Sequence, residues 1–291
     1  MEAGSRFRAS PIGLLGRRRP RHGREEQAEL RAPTTAARTA LGRLSYVLAT
    51  RRLGDKQRRE LRFWRRELAR IVAWYAGRLP TLWDVPSPHV ETPPRDVDLA
   101  AAAVGTWFET CKPTYYPRHL LLEPDAFAGM RVLDVGCGPI PFALAFEDCE
   151  VVALDPLLSY FRRLGFPTGI YPERLALVSA PAERMPFGSH SFDAVISVNA
   201  LDHVDDFAAA AAEIERVLKP GGTVRFEIHY HAPTPLEPWA LDDSVVLRSF
   251  SRLRLRKVCE QALEAWGSEG GGYGTRDSSE RLTVWASDDR G

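Results

Sequence analysis

Long apolar runs are missing from this chain. No stretch approaches the ~18–20 consecutive apolar residues that a membrane-spanning helix needs, so no span is expected. A charge excess is missing too: 39 Lys and Arg stand against 38 Asp and Glu, leaving +1. Such a balance creates no overall field for nucleic acid, which is not expected as a partner. Cysteine is scarce. Cys111, Cys137, Cys149 and Cys259 show neither metal-ligand spacing nor a disulfide framework, and they read as reduced thiols of a cytoplasmic protein.

What is present suits one core of ordinary size with extensions: 291 residues, 44% hydrophobic and 26% charged. Residues 1–35 read as a disordered basic tail. Arg17, Arg18, Arg19, Arg21 and Arg24 cluster there without an apolar pattern. A solvated tail, an arm for RNA or a membrane surface, and a targeting segment are all open readings, although Glu2, Glu25 and Glu26 argue against the last. Residues 36–129 read as a helical cap with a linker. Leu61, Trp64, Leu68, Ile71, Val72 and Tyr75 recur near the 3.6 period, predicting a helix over 55–79 stopped by Pro80. Pro86, Pro88, Pro93 and Pro94 mark a link to a second helix over 97–110. Trp107, Phe108, Tyr115 and Tyr116 form an aromatic cluster before the core.

From residue 130 onward, strands and helices alternate. Strands are expected at 131–135, 150–155, 175–179, 194–199 and 223–230, and helices at 157–164 and 206–218. Alternation of this kind implies parallel strands joined by crossover helices on both faces. Two further strands, at 251–258 and 281–286, flank a glycine-rich stretch at 267–274.

The first expected strand runs through Val132-Leu133-Asp134-Val135 into Gly136-Cys137-Gly138-Pro139. Glycines here let the backbone turn tightly and let a ligand approach. The second strand, Val151-Val152-Ala153-Leu154, ends in Asp155. A glycine turn after one strand and an acid after the next is the layout of a nucleoside site. Then come Ala182-Glu183-Arg184-Met185-Pro186-Phe187, the run Ser191–Asn199, Leu201-Asp202-His203, and Leu218-Lys219-Pro220-Gly221-Gly222.

In this order and spacing, residues 130–230 resemble a class I S-adenosylmethionine-dependent methyltransferase of the small-molecule, ubiquinone and menaquinone type (the type 11 group). The resemblance implies an α/β fold: a Rossmann-like, doubly wound, mostly parallel seven-stranded sheet, with a C-terminal antiparallel hairpin and extra N-terminal helices. It implies S-adenosyl-L-methionine as cofactor and a domain over 130–291. Gly136, Cys137 and Gly138 would pass under the methionine part and ribose, with Asp134 toward the ammonium. Asp155 would take the ribose diol through charge-assisted bonds, and Pro156 would lie beside it. Ala182 and Glu183 would border the adenine, and Asn199 the mouth. Two positions depart from the pattern. Pro181 stands where relatives carry an Asp for the adenine amino group, and Ile140 stands where many carry a small residue.

The acceptor side is less defined. His203, after the fourth strand, is either a general base or a support for the loop. Strand alternation puts Glu227, His229 and His231 on one face. That spacing permits a metal ion without requiring one. The reading adopted is acceptor binding or proton transfer by His203, His229 and His231, with no metal. The acceptor is expected to be a small molecule or glycan precursor. RNA or protein methylation, or a non-catalytic interaction role, are the alternatives. The sequence Asn199-Ala200-Leu201-Asp202 lacks the Asn-Pro-Pro-Tyr-like signature of exocyclic-amine methylation.

Overall fold

Apolar strands alternating with amphipathic helices produce a seven-stranded sheet covered on both faces. The computed structural model describes residues 53–88, 98–262 and 280–287. The predicted basic tail at 1–35, Pro93, Pro94 and the glycine-rich stretch at 267–274 lie outside the described residues.

Helix α1 (Asp55–Tyr75) comes first. Leu61, Leu68, Ile71 and Trp74 form its buried stripe, and Arg and Glu occupy most of the other face. The helix stops before the expected Pro80. Gly77, at φ +69°, turns the chain, and Arg78 N–H returns to the Ala73 carbonyl. This left-handed close suits glycine, which has no Cβ to clash. A small hairpin follows, β1 (Thr81–Leu82) with β2 (Val85–Pro86), tied to α1 by the Trp74 indole N–H on the Val85 carbonyl. Helix α2 (Leu99–Cys111) is capped by Asp98, whose carboxylate accepts from the Ala100 and Ala101 amides. Helix α3 (Tyr115–Leu120) leads into the sheet.

The sheet contains β3 (Arg131–Val135), β4 (Glu150–Leu154), β5 (Leu175–Val178), β6 (Phe192–Val198), β7 (Leu218–Tyr230), β8 (Leu255–Ala262) and β9 (Arg281–Ser287). Its order is β5-β4-β3-β6-β7-β9-β8. The first five strands pair in parallel, and β9 pairs antiparallel with both β7 and β8. This is the expected fold, with the C-terminal hairpin inserting its second strand beside β7. Helix α4 (Leu158–Leu164) and helix α5 (Phe207–Val217) match the expected crossovers closely. Asp206 caps α5 by accepting from the Ala209 amide.

Alternation within β3 sorts the two faces. Val132 packs in one core with α1, α2 and α3, and Leu133 and Val135 pack in the other with α5 and Trp285. Strand β8 begins at Leu255, four residues later than expected, because residues 251–254 turn before Leu255 pairs with Ser287. A short helix, α6 (Asp243–Ser249), fills the segment before it.

Candidate active site

The site lies at the C-terminal ends of β3, β4, β6 and β7, where parallel strands deliver their loops to one edge. Beyond β3, Gly136 and Gly138 take φ of +77° and +61°. A Cβ on Gly136 would stand 2.2 Å from the Ala200 Cβ, so the turn is pressed against the loop after β6. The Gly136 and Cys137 amides both donate to the Leu154 carbonyl, and the Cys137 thiol is buried beside the Gly138 carbonyl. Burial raises that thiol well above the usual range.

Asp155 follows β4 and is only 5% exposed. Its carboxylate accepts from Gly138 N–H at 3.1 Å and from Leu157 N–H at 2.7 Å, tying the two loops together. The second bond closes the turn that leads into the next helix, and the first sets the same carboxylate against the glycine turn. Burial, then the neighbouring Glu60 charge, pushes Asp155 up to about 7. Pro156 is exposed, and its carbonyl accepts from the Ser179 hydroxyl. Asp134 is fully buried. Tyr116 donates its hydroxyl to both carboxylate oxygens, and desolvation raises Asp134 to about 8.

In the loop after β5, Ala182 is buried. Glu183 accepts from the Asp205 and Asp206 amides at 2.7 and 3.2 Å, joining its loop to the one after β6. Asn199 has φ +48°, and its Oδ1 is buried with no hydrogen-bond partner among the described residues.

Helix α1 supplies side chains that sequence reasoning did not place here. Lys56, Glu60 and Trp64 recur every four residues and so form one stripe. Lys56 donates to the His203 carbonyl and pairs with Asp205. Glu60 faces Asp155 and His203 and is raised by desolvation, with His203, Lys56 and Trp64 pulling it the other way. Trp64 lies over Gly138, 3.4 Å from where its Cβ would be, and packs edge-on against Phe161 and Phe166. The signal for this stripe was a carboxylate on the line of Trp64, but only a partner could show which way that line points.

The three predicted histidines gather at the ends of β6 and β7 among buried carboxylates. Burial opposes the charge on His203, but Glu237, Asp202 and Glu60 outweigh it and raise the group to about 9. Glu227 is fully buried. Burial would raise it, yet His119 at 2.5 Å and His229 at 3.6 Å hold it below the usual carboxylate range. His229 N–H donates to Asp202 at 3.3 Å. His231 lies just past β7 and turns to Glu237, Nε2 to Oε2 3.7 Å. The expected trio of Glu227, His229 and His231 therefore divides between two carboxylates. His119, from α3, was missed because nothing local distinguishes it.

Do these residues fit a cationic nucleoside cofactor? Asp155 bonds to the tight glycine turn and is electrostatically linked to the Glu60 carboxylate, and Asn199 Oδ1 is a buried acceptor with no partner among the described residues. Ribose hydroxyls and a positive charge match that set, so the residues fit.

Residues 133–226 match a family profile described as "Methyltransferase domain". The chain is 34% identical over 141 residues to sterol 24-C-methyltransferase erg6 of Aspergillus fumigatus, covering 43% of this chain and 37% of that protein. It is 31% identical over 112 residues to demethylmenaquinone methyltransferase of Staphylococcus epidermidis, covering 37% of this chain and 46% of that one. The chain thus spans less than half the length of these two curated relatives. Among solved structures, an S-adenosylmethionine dependent methyltransferase from Mesorhizobium loti aligns at TM-score 0.47 with 18% identity, covering 62% of this chain and 100% of that chain. The matched segment, 133–226, has the sequence of a class I S-adenosylmethionine-dependent methyltransferase domain. S-adenosylmethionine is the cofactor of that class.

Proposed function

We propose that this chain transfers a methyl group from S-adenosylmethionine to a small-molecule or glycan-precursor acceptor. The observation that carries the reading is the Asp155 carboxylate, one residue past β4, bridging the Gly138 and Leu157 amides beside Glu60. When bound, the cofactor supplies an electrophilic methyl group, so the protein's work is alignment. Asp134 takes the ammonium and Gly136, Cys137 and Gly138 the methionine part. Asp155 holds the ribose diol, and Pro156, Ala182 and Glu183 border the adenine. Asn199 stands between cofactor and acceptor. Helix α1 covers the cofactor side and excludes water. His203, His229 and His231 face the acceptor and orient it. Relatives named for sterol and demethylmenaquinone substrates support a small organic acceptor over a macromolecule. Residues 36–129 act as the cap and 130–291 as the catalytic domain. A cytoplasmic setting is supported by four free cysteines. No described helix is long and apolar enough to cross a membrane.

The test is calorimetric titration of the purified chain with S-adenosylmethionine and S-adenosylhomocysteine. Transfer of a labelled methyl group to a panel of lipid, quinone and sugar acceptors follows. Binding with transfer to one of these supports the reading. No binding by the full chain removes it and favours a non-catalytic role. Binding with transfer only to RNA or protein substrates replaces the acceptor class.

A further inference from the structure

Among these groups, three ligand-type atoms converge from the loops after β6 and β7: Asp202 Oδ1, His231 Nε2 and a Glu237 carboxylate oxygen. All lie within 4.8 Å of one another. The group is well buried: Asp202 is fully enclosed, and the His231 and Glu237 side chains are 6% and 4% exposed. Asp202 Oδ1 and His231 Nε2 are both buried with no hydrogen-bond partner among the described residues.

The outer bonds orient each group. His231 Nδ1 lies 2.7 Å from the Ala232 carbonyl. A carbonyl only accepts, so Nδ1 carries a proton, and Nε2 is the nitrogen that faces the cluster. Asp202 uses Oδ2 for the His229 amide, which leaves Oδ1 turned inward. Glu237 Oε2 accepts from the Thr234 hydroxyl at 3.0 Å, and Thr234 Oγ1 in turn accepts from the Glu237 amide. An imidazole nitrogen and two carboxylate oxygens therefore face each other in a water-poor space. His203 pairs with Glu237 Oε1, so the carboxylate oxygen left without a partner is Asp202 Oδ1, which a cation between it and His231 Nε2 would satisfy. Fixing a ligand imidazole by a carbonyl on its other nitrogen is the usual outer support of a metal site.

We propose that Asp202, His231 and Glu237 bind a divalent first-row transition-metal ion. One imidazole and two carboxylates suit zinc or manganese. If the proposed function holds, the ion sits at the acceptor mouth and can bind an acceptor oxygen there.

The experiment uses the full chain, stripped with chelator. It is titrated with Zn2+ by calorimetry and with Co2+ by visible absorption, and S-adenosylhomocysteine is titrated separately. One ion per chain is expected, with Co2+ ligand-field bands and imidazole scattering in X-ray absorption. His231→Ala and Glu237→Gln should each weaken Zn2+ by about tenfold or more, and Cys259→Ser should leave it unchanged. Should the variants not fold, imidazole ligation of Co2+ in the parent chain decides the question. No stoichiometric ion, no imidazole signal, or full Zn2+ affinity in His231→Ala overturns the proposal. Cofactor binding without ion uptake removes the metal site alone. Ion uptake without cofactor binding supports the metal site and removes the methyltransferase reading.

Discussion

Asp155 concentrates two tasks in one side chain. It holds the Gly138 and Leu157 amides, and it presents acceptor oxygens beside the glycine turn. Its replacement by Ala is expected to weaken S-adenosylhomocysteine binding at least tenfold, about 1.4 kcal/mol, from loss of charge-assisted bonds. Calorimetry reads this directly, and an unchanged affinity would take Asp155 out of the cofactor site. Gly136 offers a second residue-scale prediction. Its positive φ and the 2.2 Å approach to Ala200 leave no room for a methyl group. Gly136→Ala should destabilise the fold by about 1–3 kcal/mol, seen as a lower urea midpoint.

At the scale of the element, α1 matters most. Its stripe of Lys56, Glu60 and Trp64 meets the site, while Leu61, Leu68, Ile71 and Trp74 anchor the helix in the core. Trp64 is half-buried against Phe161, Phe166 and Gly138. Trp64→Ala is expected to remove about 2–3 kcal/mol of stability, less than a fully buried Trp. If α1 covers the cofactor, the same variant should also release S-adenosylhomocysteine faster in stopped-flow measurements. A stability loss with an unchanged release rate would make the helix a packing cap only.

For the whole molecule, the raised carboxyls set a pH dependence. Desolvation puts Asp134 at about 8, with Tyr116 opposing and Asp155 adding, and puts Asp155 at about 7. Both exceed the ordinary carboxyl value near 3.8. The folded state therefore binds more protons than the unfolded one between those limits. The resulting stability is complete below about pH 4 and is lost as pH rises through 7 and 8. Thermal unfolding of the free chain should show a falling midpoint over that window, flattened in Asp134→Asn. A cationic cofactor favours the ionised carboxylates, so its thermal shift should grow from about pH 6 to pH 8.5. A midpoint that rises with pH across this range would contradict the assignment.

The cofactor half of the site was legible because its signals are local. Alternating apolar strands, a glycine turn and an acid at the next strand end all lie within short windows, and each is imposed by backbone sterics or by periodic burial. So were α1, α5 and the parallel core. The helix stop at Gly77 was missed because Pro80 masked it, and the start of β8 depended on pairing with Ser287. The acceptor half had no such local signal. His119 meets Glu227 across 108 positions, and Lys56 meets the His203 carbonyl across 147. Glu60 reaches Asp155 only because α1 docks on the sheet, and Glu237 reaches His203 and His231 only because the loop after β7 folds back. The sequence by itself determined the elements and the nucleoside-binding turn, since periodicity and backbone geometry act over a few residues. The tertiary structure alone decided which charges share a buried space, because Coulomb forces and desolvation depend on distance in space and leave no period along the chain.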